Sequence, residues 1–88
     1  METKIALVGI VVEDTAAVGR LNEILHQYGE FIIGRMGVPH KERGVSIISV
    51  AMDAPADVIS ALSGKLGNIP GVTSKTIVSK VGTHAETH

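Results

Sequence analysis

The sequence predicts an α+β domain in the order β-α-β-β-α-β. Three observations carry this. Four segments are rich in β-branched residues, two further segments repeat apolar residues at three- and four-residue steps, and the length of 88 residues admits one domain and not two.

Thr3 to Val12 reads as the first strand. Side chains alternate across a strand, so Ile5, Leu7 and Val11 share one face, and Ala6, Val8, Ile10 and Val12 share the other. Both faces are apolar, which predicts a central strand covered on both sides. Asp14 follows as a helix N-cap, its carboxylate placed to accept a free N–H of the first turn. Ala17, Val18, Leu21, Ile24, Leu25 and Tyr28 then form one apolar stripe, with Arg20, Asn22, Glu23, His26 and Gln27 on the other side. Gly29 comes just after the stripe, where a left-handed C′ residue is expected. Gly19, inside the helix, costs about 1 kcal/mol against alanine.

The second strand is expected over Phe31 to Val38, weakened by Gly34 and Gly37. Pro39 removes a ladder donor, so the strand ends there or lies at an edge. His40 to Gly44 is polar and makes a hairpin connection to a third strand, Val45 to Met52. This strand too is apolar on both faces: Val45, Ile47 and Ala51 on one, Ile48, Val50 and Met52 on the other. Ala54 as N-cap and Pro55 at the first helical position open the second helix, whose stripe is Val58, Ile59, Leu62 and Leu66. Gly67 closes it, Pro70-Gly71 makes a turn, and Val72 to Val81 is the fourth strand. The domain is expected over residues 1–82, with residues 83–88 a flexible polar tail.

This order closes as a ferredoxin-like sandwich: a four-stranded antiparallel sheet, two helices on one face, and strands one and three in the centre. The two helices cover only one sheet face. The other would meet water as a large apolar patch, and self-association into a dimer or tetramer is the simplest remedy. The alternative is that small residues (Ala6, Gly9, Ser46, Ser49, Ala51) make the open face tolerable.

Composition excludes several functions. Eight Lys/Arg against nine Asp/Glu give no basic footprint for nucleic acid and no polybasic membrane patch. The apolar run Ile5 to Val12 is too short to span a bilayer. No signal-peptide pattern is recognisable, so a cytoplasmic protein is expected. With no cysteine there is neither a disulfide nor a thiolate metal site. Only Tyr28 and Phe31 are aromatic, so the core is built from aliphatic residues, and the third strand has no aromatic platform on which RNA bases stack.

Chemistry-bearing motifs are few. His84 and His88 stand four apart but in the tail, without a carboxylate or third histidine beside them, so no metal or other cofactor is predicted. His40 reads as a turn residue, and His26 lies on the polar face of the first helix. There is no nucleophile elbow, and the adjacent pair Glu13-Asp14 is explained by helix capping. Ser63-Gly64-Lys65-Leu66-Gly67 lacks phosphate-loop spacing and sits at a helix end, where the dipole repels anions. Gly64, having no side chain, offers room for a neighbouring chain or a ligand. No catalytic residue is predicted.

Two stretches, Ala61-Leu62-Ser63-Gly64-Lys65-Leu66-Gly67-Asn68-Ile69-Pro70-Gly71-Val72 and Gly34-Arg35-Met36-Gly37-Val38-Pro39, together with Ile10 to Asp14 and Leu21 to His26, carry a family resemblance. The chain resembles the ACT-like group of regulatory domains and, within it, the small family of proposed iron-only hydrogenase system regulators. The resemblance covers nearly the whole chain. It implies a domain shaped like the C-terminal domain of nickel-responsive repressors, one that associates and binds a small effector between chains. Those repressor domains hold nickel with histidines and a cysteine. This chain has no cysteine and no paired strand histidines, and no metal site carries over. No DNA-binding element is recognisable, so if the chain regulates transcription a partner protein is expected to contact the DNA.

The expected function is thus a ligand-sensing, oligomerising regulatory module. Its ligand site is expected beside the first strand–helix turn (Glu13, Asp14, Thr15) and the Ser63, Gly64, Lys65 and Gly67 segment of a neighbouring chain. Two other readings stand beside it: a structural protein–protein interaction module, and a small enzyme on a dimeric α+β barrel. The barrel enzymes line a cavity with aromatics and histidine, which this chain scarcely has.

Overall fold

A computed structural model describes residues 2–82. The elements are β1 (Lys4–Val12), α1 (Val18–Gln27), β2 (Ile32–His40), β3 (Val45–Ala54), α2 (Ala56–Gly67) and β4 (Val72–Gly82). Short 3₁₀ turns precede α1 (Thr15–Ala17), follow it (Gly29–Phe31) and join β2 to β3 (Lys41–Arg43). The strands form one sheet in the order β2-β3-β1-β4, with every neighbouring pair antiparallel. This is the ferredoxin-like α+β sandwich, with the two most apolar strands central as expected.

Alternation along β1 and β3 decides where the core lies. Ala6, Val8, Ile10 and Val12 of β1 are buried together with Ile48, Val50, Met52 and Ala54 of β3. The α1 stripe residues Leu21, Ile24 and Leu25 and the α2 stripe residues Ile59, Leu62 and Leu66 complete the same cluster. Each such side chain contributes roughly 1.5–3 kcal/mol of burial free energy, offset by the entropy of ordering it. The hairpin between β2 and β3 turns through Gly44, whose φ of 68° is left-handed and costs a glycine nothing.

Several expectations are corrected. Gly29 is not a left-handed cap. Gly44 and Gly71 are the glycines with positive φ, and Gly29 opens a 3₁₀ turn in which Phe31 N–H donates to the Tyr28 carbonyl at 2.9 Å. The chain thus leaves α1 by tightening its spiral, which satisfies the backbone without a reversal. The N-cap of α2 is Pro55, with φ −59° and ψ 152°, and not Ala54. Ala54 still pairs with Lys4 in the sheet. Its extended backbone, imposed by the proline after it, prolongs β3 by two residues. β2 runs through Pro39 to His40; as an edge strand it tolerates the missing donor. Of the small residues expected to soften the open face, Ala6 and Ser46 lie in register with the helix side, so only Gly9, Ser49 and Ala51 remain on it. The tail 83–88, with His84 and His88, lies outside the described residues.

Candidate functional site

The sheet face away from the helices is the largest unassigned surface. Its register is read row by row. Gly34, Ala51, Leu7 and Ile77 form one row across the four strands; Met36, Ser49, Gly9 and Lys75 the next; Val38, Ile47, Val11 and Thr73 the third. Ile5 stands beside Asp53 at one end. Large apolar side chains on this face are open to solvent: Leu7 is 46% exposed, Met36 65% and Ile77 67%. Ile5, Val38 and Ile47 are also exposed. The glycine and serine of the middle row leave shallow hollows on each side, one of about 230 Å³ between Leu7 and Met36 and one of about 270 Å³ between Ile47 and Lys75. Four strands about 4.8 Å apart and nine residues at about 3.3 Å each give a face of roughly 570 Å². That is at the upper end of what monomers leave exposed.

The first strand–helix turn is fixed by short contacts. The Glu13 N–H donates to the Gly71 carbonyl at 2.7 Å, and Asp14 Oδ1 accepts from the Ala16 N–H at 2.9 Å. Gly71 has φ 82°, and a Cβ built there would stand 2.5 Å from the Asp14 Cβ. Glycine at 71 is therefore what lets the two loops close on each other. Asp14 is committed to capping, as its position in the sequence indicates.

The second expected segment lies on α2 and is engaged elsewhere in the same chain. The Ser63 and Thr76 hydroxyls are 2.8 Å apart, joining α2 to β4, and the Lys65 ammonium stands 5.1 Å from the Tyr28 ring centre. A Cβ at Gly64 would meet nothing within 4 Å. Gly64 and Gly67 are exposed. Glu13, Asp14 and Thr15 are likewise exposed, and Thr15 lines a hollow of about 310 Å³. That hollow lies on the helix side, where the start of α1 meets the β2–β3 hairpin, with Val12, Val18, Pro39, Lys41, Val45 and Ser46 around it. Its two walls are some thirty residues apart in the sequence, so no local pattern announces it.

Among the described residues no polar or charged side chain is buried, and no group of three or more His, Cys, Asp or Glu is placed to hold a metal ion. His40 Nε2 lies 3.9 Å from Glu42 Oε1 at the hairpin, and the Arg20–Glu23 pair, at 2.6 Å, is exposed. Arg35 of β2 reaches the Asn22 side chain of α1 at 3.1 Å, tying the edge strand to the helix layer. Among the described residues no helix is long and apolar enough to cross a membrane.

Comparison with known proteins places this arrangement in a family. Residues 4–76 match the family model TM1266-like, "Iron-only hydrogenase system regulator, putative". The uncharacterized protein TM1266 from Thermotoga maritima is 39% identical, with a TM-score of 0.85 over 89% of this chain and 99% of its own. An unknown protein from Galdieria sulphuraria (18% identity, TM-score 0.60) is matched over 90% of this chain and 46% of its own. CPII, a nitrogen regulatory PII-like protein from Thiomonas intermedia K12 solved with ADP, AMP and bicarbonate, is 16% identical (TM-score 0.51, 92% of this chain and 96% of its own). The last two share the fold only. No curated protein matches the chain. Matched by the family model over most of its length, and by a full-length relative at 39% identity, the chain belongs to the TM1266-like family.

Proposed function

We propose that this protein is a homo-oligomeric regulatory module that senses a small effector and acts by binding, not catalysis, within an iron-only hydrogenase system. The observation that carries the reading is the open sheet face, with Ile5, Leu7, Met36, Val38, Ile47 and Ile77 exposed across all four strands. Two copies packed face to face would bury roughly 1,100 Å², above the approximate 1,000 Å² that marks a specific interface. The family description supports the regulatory role.

The effector is assigned to an inter-chain site. Glu13, Asp14 and Thr15 of one chain would meet Ser63, Gly64, Lys65 and Gly67 of a neighbour through a helix-side contact, separate from the sheet-face interface, with the open space at Gly64 admitting the second chain or the ligand. Regulation then passes to a protein partner. Size-exclusion chromatography with light scattering tests the reading: a dimer or tetramer is expected, and a monomer at tens of micromolar overturns it. A structural interaction module would give the same oligomer but no saturable response to any small molecule.

A further inference from the structure

The geometry points to a second ligand site, on the helix side of the sheet, for a short aliphatic monocarboxylate. It deepens the effector reading above and rests on it. The hollow of about 310 Å³ between the start of α1 and the hairpin lies on the far side of the sheet from the proposed oligomer face. Its floor is Val12, which is buried, with half-buried Val18 beside it and the hairpin residues Gly44 to Ser46 closing the other side. The hollow exists because the helix-side row here is Pro39, Ser46, Val12 and Val72, short side chains over which α1 has only begun.

The side-chain polar groups among its lining residues can all donate hydrogen bonds. Lys41 brings an ammonium, Thr15 and Ser46 bring hydroxyls, and no carboxylate lines it. Among the described residues the Lys41 ammonium makes no ion pair; the hairpin's Glu42 faces His40 instead. The carboxylates of the adjoining turn, Glu13 and Asp14, lie outside the lining, and Asp14 is bound to the Ala16 N–H. A free cation and two hydroxyls over an apolar floor select a ligand with an anionic head and an aliphatic body. The same rim offers an α-ammonium group no anionic partner, which disfavours the corresponding amino acid. At about 30 Å³ per water-sized group the volume takes about ten non-hydrogen atoms.

The test is a titration of the ¹⁵N-labelled full chain with 4-methylpentanoate, its neutral isostere 4-methylpentanamide, and leucine. The acid is expected to shift the amide signals of Thr15, Val18 and Val45 saturably, with Kd on the order of 1 mM for so small a ligand. The amide and leucine should bind at least about tenfold more weakly. Lys41→Met should erase the preference for the acid, and Lys41→Arg should keep it. Equal binding of acid and amide, an unchanged preference in Lys41→Met, or saturable shifts confined to the open sheet face would each overturn the site. So would no saturable shift up to about 10 mM, where a ligand of this size must register. Sedimentation of the same samples separates the two readings. A monomer that still binds the acid through Lys41 refutes the oligomer and keeps the site, whereas an oligomer indifferent to the acid refutes the site alone.

Discussion

Ile77→Asp should dissociate the oligomer while leaving the fold intact. Ile77 sits on edge strand β4 in register with Leu7 and is 67% exposed in the single chain. Full burial of an isoleucine stabilises by roughly 1.5–3 kcal/mol, so the two-thirds still exposed are worth about 1–2 kcal/mol per protomer. A twofold interface uses the residue twice, giving about 2–4 kcal/mol, or roughly a 30- to 700-fold weaker Kd, for loss of the side chain alone. Placing a carboxylate there adds its desolvation cost, several kcal/mol more. The folded monomer loses only the third already buried, about 1 kcal/mol at most. Sedimentation equilibrium over a hundredfold concentration range reads the first quantity, and urea unfolding reads the second. An Ile77→Asp protein with wild-type Kd and wild-type stability would refute the sheet face as the interface.

Further perturbations address the fold and its turns. Gly71→Ala should cost about 2–4 kcal/mol in urea unfolding, from the left-handed backbone and the clash with Asp14 together. Leu62→Ala, at a fully buried position on the core face of α2, should cost about 2–5 kcal/mol by the same assay, a large share of what an 88-residue domain has. Ser63→Ala breaks the part-buried hydroxyl pair with Thr76 and should lose about 0.5–1.5 kcal/mol, with little added loss when Thr76→Val is combined with it. Asp14→Ala removes the cap on the turn before α1 and should destabilise by about 1 kcal/mol.

The sequence was most legible where one residue's neighbours were local or its pattern periodic. The α1 and α2 stripes predicted the buried residues of both helices, and alternation along β1 and β3 separated the buried face from the exposed one. Asp14 announced its capping role because a cap acts within two residues. Less legible were features set by contacts distant in sequence. Gly71 read as a turn glycine, but its need for a missing side chain comes from Asp14, on another loop. Gly29 carried the signal of a left-handed cap and instead entered a 3₁₀ turn. The bulge that sets Ile33 out of register, like the hollow beneath Thr15, depends on strand pairing that no local pattern encodes. The expected effector site, with one part at Thr15 and the other at Gly64, stays an inter-chain proposal because it depends on a neighbouring chain, and the pattern of one chain does not encode how copies pack.

Native mass spectrometry of the untagged protein tests the regulatory-oligomer reading most directly. A dimer or tetramer carrying additional mass from a bound small molecule is the predicted result. A ligand-free monomer across the micromolar range would contradict it, since the apolar face of Leu7, Met36 and Ile77 would then stand open in solution without a partner.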